Sequence, residues 1–208
     1  AEAGVNSIPT NWDEVIAACN KLEAAGKGTL YFGWNITGNW FHQALMHTQN
    51  VPMVKDGAVN MGGDAGLATL EQMKAIMSGC NMPNYSIADG QAAFNAGTIG
   101  MMFWSTSSLG SVNAAKADFV LKTAPFPGMA GVNNGTPARL PAGGNAAMLV
   151  STSDDPARVD AAWTFLKFIT SGIGAALVAE TTGYVPPNKA ANELLGDFYS
   201  KNPNTVSY

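Results

Sequence analysis

Helix-type and strand-type hydrophobic patterns take turns along this chain, and that alternation restricts it to the α/β class. The first pattern sets Trp12, Val15, Ile16, Cys19 and Leu22 at helical spacing and stops at Gly26. Thr10 is its expected N-cap, with Asp13 three residues on as a variant capping box. Thr29 to Trp34 reads as a strand rich in aromatic residues, and a second helix is expected from Asn39 or Trp40 to about Gln49. Asp64 is expected to cap a third helix, with Leu67, Leu70, Met73, Ile76 and Met77 on its buried face. A short helix over Asp89 to Ala96 leads into an apolar strand, Thr98 to Phe103, long enough to cross a sheet.

The second half is punctuated more heavily. Leu109 to Lys116 reads as a helix and Phe119 to Thr123 as a strand. Four prolines and five glycines between residues 125 and 144 then force a long irregular connection. Asn145 to Ser151 reads as a strand. Asp154 or Asp155 caps a helix with Pro156 in its first turn, where a missing N–H costs nothing. Its expected buried stripe is Val159, Ala162, Trp163, Leu166 and Ile169. A helix over Ile173 to Glu180 runs into Thr182-Gly183-Tyr184-Val185-Pro186-Pro187, and another is expected from Lys189 to Phe198. Gly183 can take the left-handed conformation that ends a helix, and the two prolines hold the following chain extended. Tyr184 is thereby presented on a rigid corner.

Composition excludes several function classes. With 47% hydrophobic and 12% charged residues the chain is not a disordered one. A net charge of −4 argues against a nucleic-acid partner, which needs a basic stripe. No apolar run reaches the length of a membrane span. The chain opens Ala-Glu-Ala-Gly-Val-Asn, so a signal sequence, for an exported protein, is expected upstream. Cys19 and Cys80 both fall in helical patterns and are expected to be two small buried thiols rather than a disulfide.

Catalytic signals are absent. There is no G-x-S-x-G elbow, no H-E-x-x-H and no P-loop. Met61-Gly62-Gly63-Asp64-Ala65-Gly66 reads as a turn into a capped helix. His42 and His47, five apart, lie about 140° apart on a helix and cannot share a metal. No cofactor, metal or catalytic residue is expected. A carbohydrate-active enzyme is the rival class; its facing carboxylates would have to come from Asp64, Asp89 and Asp118. A purely structural or partner-binding lobe is the third.

Four loop features point to binding instead. Gly33-Trp34 and Asn39-Trp40 put indoles at a strand end and a helix start. Trp104-Ser105-Thr106-Ser107-Ser108 follows an apolar strand and opens a helix. Gly143-Gly144 precedes a strand, and Tyr184 sits on its corner. Each has a plainer reading, as core tryptophan, helix cap, turn or helix stop. Together they make a kit for a sugar or polyol: aromatic faces for C–H surfaces, hydroxyls and backbone N–H groups for oxygens, glycines for close approach. Strand C-terminal ends are where α/β sheets place ligands.

Five blocks in order then resemble the extracellular family 1 solute-binding proteins of bacterial ABC importers. Pro9-Thr10-Asn11-Trp12-Asp13-Glu14 resembles the family's P-x-T-W-D-E helix start. Phe94 to Gly97 with Met101 to Trp104 resembles its F-x-x-G-x-x-A-M segment, and Ala124-Pro125-Phe126-Pro127-Gly128 its P-x-P-G exit. Gly143-Gly144 with the helix carrying Trp163, Phe165 and Phe168, and finally Thr182 to Pro186, complete the pattern. Leu195 to Pro203 is most similar to the branch that binds glycerol 3-phosphate. The resemblance implies a lobe of the type II periplasmic-binding-protein fold in an incomplete two-lobe architecture. Residues 1–140 would form most of the second lobe, 141–183 a segment returning to the first, and 184–208 the start of the C-terminal helical region.

It also implies a monomer that captures a small polyol, sugar or phosphodiester and delivers it to ABC permease subunits. The implied location is the periplasm or cell exterior, with a lipid anchor in a Gram-positive source. The implied ligand contacts are Trp34 or Trp40, Ser105 with Thr106 as alternative, Gly144 with Gly143 as alternative, and Tyr184, with Trp104 reshaping the pocket. The branch's phosphate-binding arginine has no counterpart within these residues.

Overall fold

The computed structural model describes residues 2–132, 143, 146–150 and 154–205. The chain divides into two compact units, one of Ala1–Trp104 with Ala115–Ala142 and one of Ser105–Ala114 with Gly143–Ser207.

The first unit holds helix α1 (Trp12–Ala24), strand β1 (Gly28–Phe32), helix α2 (Trp34–Thr48), a hairpin of β2 (Val54–Lys55) and β3 (Ala58–Val59), helices α3 (Gly63–Gly79) and α4 (Ile87–Asn95), and strand β4 (Ile99–Phe103). Strands β1 and β4 pair in parallel, with Leu30 opposite Met101 and Phe32 opposite Phe103. A parallel pair needs a crossover and cover on both faces, so its strands read as apolar runs. Residues 29–32 of β1 are all buried. Side chains alternate along a strand. Leu30 and Phe32 join Trp12, Val15, Phe41, Leu45, Ile76 and Phe126 in one core cluster. Tyr31 packs under α4, where a Cβ on Gly90 would come within 2.6 Å of its ring. Burial, with a smaller push from the Asp89 carboxylate, raises the Tyr31 hydroxyl above its ordinary range.

Helix α1 is capped by Asn11, not Thr10. The Asn11 side chain accepts from the Glu14 N–H at 3.0 Å, while the Thr10 N–H and hydroxyl donate to Glu14 Oε2 at 2.8 and 3.0 Å. Glu14 rather than Asp13 therefore closes the box, because it alone reaches back to the Thr10 N–H. These bonds hold the Glu14 carboxyl below its ordinary pKa, the backbone contribution being the larger. A lowered folded-state pKa gives stability that is present above the unfolded value and lost as pH falls through the folded one. We expect Glu14→Gln to lose this acid-limb dependence, seen as a flatter melting temperature below the ordinary carboxylate range.

Helix α2 begins at Trp34 instead of Asn39 or Trp40, because the Trp34 ring stacks on Phe32 at 4.2 Å and the chain turns straight from strand to helix. Helix α3 is capped by the Gly62 backbone; Asp64 lies in its first turn, where its charge suits the helix dipole. Its buried face is Gly66, Thr69 and Ile76, with Leu67, Leu70 and Met77 exposed, a correction to the expected stripe. Thr69 faces the end of α2, and Gly66 is small because a Cβ there would collide with the Met61 carbonyl. Gln49 at the end of α2 donates to the Ala65 carbonyl and to Thr69 Oγ1. Cys19 and Cys80 are not free thiols but a disulfide, with Cα atoms 5.0 Å apart. Residues 119–123 form no strand: Val120 is exposed, and Phe119 instead packs on Phe94 at 5.8 Å. The chain pairs only farther on, where Gly128 exchanges hydrogen bonds with Thr10 and Trp12.

The second unit holds a 3-10 turn (Thr106–Ser108) running into α5 (Leu109–Ala115), then α6 (Pro156–Ile169), α7 (Gly172–Thr182), α8 (Lys189–Leu194) and α9 (Gly196–Lys201). Ala175, Ala176, Ala179, Ala191 and Leu195 form its small core. Asp155 caps α6 by accepting from the Ala157 N–H at 3.0 Å, ahead of Pro156. The expected stripe of α6 is not covered: no residue of that helix is buried, and Trp163 is 48% exposed. The helix expected over Lys189 to Phe198 breaks at the buried Leu195, since Gly196 is a poor helix former. Residues 146–150 form no strand and are exposed; Asn145 and Ser151 lie outside the described residues. Among the described residues no single helix is long and apolar enough to cross a membrane.

Candidate functional site

The register of the parallel pair decides where the tryptophans fall. Phe32 and Phe103 are partners, so the next residues along both strands emerge at the same, C-terminal end of the sheet. Trp34 and Trp104, 70 positions apart in sequence, therefore both follow this end of the sheet. Open α/β sheets bind ligands at this end.

The three indoles differ in availability. Trp34 is half-buried; it stacks on Phe32 and meets Phe41 edge-on at 6.5 Å. It forms part of the wall of the core, yet its Nε1 is buried with no acceptor among the described residues. A buried donor without a partner is costly, and an arriving oxygen would relieve it. Trp104 is half-buried with its ring 6.3 Å from that of Tyr31. Trp40, on α2, is 38% exposed. Tyr31 and its contact with Trp104 were not singled out from the sequence; an aromatic inside an apolar strand signals only core.

The second unit brings together two features far apart in sequence. Gly183 ends α7 at φ 84°, with its N–H donating to the Ala179 carbonyl at 2.9 Å. It is buried against the turn after Ser105: a Cβ there would lie 3.0 Å from the Thr106 carbonyl oxygen and 3.3 Å from Leu109 Cβ. The Tyr184 corner thus packs on the Ser/Thr run. Thr182 Oγ1 accepts from the Tyr184 N–H at 3.2 Å, fixing the residue after the glycine. Ser105 caps the 3-10 turn, its Oγ accepting from the Ser107 N–H at 3.3 Å and lying 2.9 Å from Ser107 Oγ. With the Ser107 hydroxyl bond made in either direction, Ser105 keeps one hydrogen-bonding valence for a ligand, its proton or a lone pair. Gly143 is exposed, and Gly144 lies outside the described residues.

None of the eight sequence-selected residues is charged. They can stack on apolar ring faces and exchange hydrogen bonds with hydroxyls; they offer no nucleophile paired to a base. Of the three candidates for an enzyme's facing pair of carboxylates, Asp89 accepts from Ser86 Oγ at 2.6 Å as part of the α4 cap, and Asp64 serves the start of α3. Among the described residues no group of three His, Cys, Asp or Glu side chains could hold a metal ion.

Comparison with known proteins gives concordant results. Residues 1–206 match the model of the bacterial extracellular solute-binding protein family. A Brucella abortus (strain 2308) protein named as a binding protein is 22% identical over 215 residues, covering 100% of this chain and 50% of the relative. Among solved structures, UgpB from Mycobacterium tuberculosis in complex with glycerophosphocholine superposes with a TM-score of 0.72 at 19% identity, over 99% of this chain and 52% of that one. The maltose/maltodextrin-binding domain MalE from Bdellovibrio bacteriovorus, bound to maltotriose, gives 0.69 at 20% identity, over 96% and 53%. These likenesses put the fold in the type II periplasmic-binding-protein class. The chain spans about half the length of the relatives it matches. The matched family is one of binding proteins, not of enzymes.

Proposed function

This chain belongs to the bacterial extracellular solute-binding protein family, and on that premise we propose that it supplies part of a ligand cleft for a hydroxyl-rich solute. The observation that carries this reading is the pairing of the Ser105–Ser108 turn with the Gly183-Tyr184 corner in one compact unit. Within the first unit, Trp34, Trp40 and Trp104 are proposed as stacking surfaces in their own right, and Gly143 and Gly144 belong with the second unit's candidates. The solute is a carbohydrate, a glycerophosphodiester or a glycerol 3-phosphate-like polyol. The relatives bound to glycerophosphocholine and to maltotriose support that range, since both ligands present hydroxyls on a carbon skeleton. The chemistry of the eight residues favours its less charged end. A phosphate monoester carries close to two negative charges and calls for Arg or Lys.

The whole protein acts as the capture subunit of an ABC importer, as a monomer, in the periplasm or on a lipid anchor outside the cell, and hands its ligand to the permease. The half-length coverage of its relatives and the uncovered apolar side of α6 support a two-lobe reading. In it residues 1–140 belong to the second lobe, 141–183 cross to the first, and 184–208 begin the C-terminal helices. Exposed Trp163, Phe165 and Phe168 are then the surface that the remainder of a longer protein covers.

The test is calorimetry on a longer protein carrying this chain, with the ligand identified by mass spectrometry of what co-purifies. Tyr184→Ala and Trp40→Ala should each weaken binding about tenfold or more, equivalent to about 1.4 kcal/mol or above, with the melting temperature of the free protein nearly unchanged. Unaltered affinity in both variants would remove these residues from the site.

A further inference from the structure

The Cys19–Cys80 bond ties together the three elements on which the first unit is built. Cys19 lies in α1, Cys80 directly follows α3, and the Thr29 hydroxyl of β1 donates to the Cys80 carbonyl. Around the bond α1 and α3 touch without slack: a Cβ on Gly79 would lie 2.7 Å from Ile16 Cγ2. Among the described residues the unit's main sheet has two hydrogen-bonded strands. A two-stranded sheet has little stability of its own, so helix packing must hold the unit together.

We propose that oxidation of Cys19 and Cys80 gates folding of the first unit, so that it becomes stable only where a disulfide-bearing oxidant is available. One thiol loses its proton and attacks the oxidant's disulfide, forming a mixed disulfide and releasing one oxidant thiol. The second thiolate then displaces the other, closing Cys19–Cys80; two electrons and two protons pass to the oxidant, which leaves as a dithiol. The step belongs before or during packing, because both sulfur-bearing residues are fully buried in the folded unit and out of reach of any thiol reagent. The separation of 61 residues makes the bond effective, since the entropy removed from the unfolded chain rises with loop length. Once closed, the buried bond resists reduction. Disulfides persist in oxidising compartments outside the cytosol, so the gate couples folding to export.

The 208-residue chain itself tests this, prepared with and without oxidation. Unfolding in urea is followed by tryptophan fluorescence, and thiols are titrated in denaturant. The oxidised chain should show no titratable thiols in denaturant. Dithiothreitol should reduce it in urea but not under native conditions. Reduction should raise the unfolding equilibrium constant by about 10³-fold, the value for a loop of this length, and re-oxidation should restore the original midpoint. The Cys19→Ala/Cys80→Ala chain should behave like the reduced one; complete failure to fold supports the gate only if the reduced natural chain also unfolds. Two thiols in the oxidised chain, rapid reduction of the native protein, or a reduced chain whose first unit stays folded without urea would each overturn the proposal.

Discussion

Trp12→Ala should cost the first unit about 3–5 kcal/mol, the largest loss expected from any single truncation in its core. Trp12 opens α1 and is fully buried. Its indole meets Phe103 at 4.9 Å, Phe126 at 5.2 Å and Phe32 at 5.8 Å, so three separate parts of the chain converge on one ring. The backbone N–H of Trp12 donates to the Gly128 carbonyl at 3.0 Å, which ties the segment carrying Phe126 to the start of the helix. Truncation leaves a cavity among aromatic rings that cannot collapse without moving a strand. Trp12→Phe separates packing from polarity. It keeps most of the ring and removes an Nε1 that is buried without an acceptor among the described residues. Its cost should be clearly smaller than that of Trp12→Ala, because the six-membered ring remains and the cavity left is smaller. Urea midpoints of the two variants decide the matter: similar losses would mean that the ring is not the keystone of this core.

Much of this core was legible because strands and helices bury apolar residues at their own periods. The β1 and β4 runs, the α/β class and the family resemblance all follow from patterns local to each block. Where expectation and structure part, the missing information is about neighbours. The period of α6 shows which side of the helix is apolar; it does not show whether anything packs there, and none of Trp163, Leu166 or Ile169 is buried. Helix α3 carries larger apolar residues at Leu67 and Leu70, yet buries Gly66 against the Met61 carbonyl and Thr69 against Gln49, neighbours that its own period does not reveal. Phe119 to Thr123 has a strand-like composition, but it forms no strand, and Phe119 packs on Phe94. Asn11 outcompetes Thr10 as cap because Glu14 holds Thr10. The disulfide needs a distance between residues 61 apart, which no spacing rule supplies.

The candidate site divides along the same line. That Trp34 and Trp104 end parallel strands was readable from two apolar runs, but the stacking of Trp34 on Phe32 depends on α2 starting five or six residues early. Ser105 and Tyr184 each looked like an ordinary helix boundary. Only tertiary packing brings the turn after Ser105 against the residue before Tyr184, and that residue is a glycine noted for a different reason.

Gly183→Ala tests that last point. The left-handed conformation at φ 84° costs an alanine about 1–2 kcal/mol relative to glycine. The new Cβ would stand 3.0 Å from the Thr106 carbonyl oxygen and 3.3 Å from Leu109 Cβ, tighter than ordinary contact, so the 3-10 turn or the end of α7 has to yield. Overpacking of this kind adds about 1 kcal/mol or more, for an expected total of about 2–3 kcal/mol. The loss should appear in the second unit, while Trp12 fluorescence in the first reports little change at low denaturant. Because the displaced elements carry Ser105 and Tyr184, ligand affinity in a longer protein should fall as well, by more than Tyr184→Ala alone produces. Gly196→Ala is the control: no atom lies within 4 Å of a Cβ built there, and its φ is not in the left-handed region. It should be neutral or slightly stabilising through reduced freedom of the unfolded chain. If Gly183→Ala proves as mild as the control, the Tyr184 corner does not depend on its seat against the Ser105 turn, and the two residues serve a ligand separately or not at all.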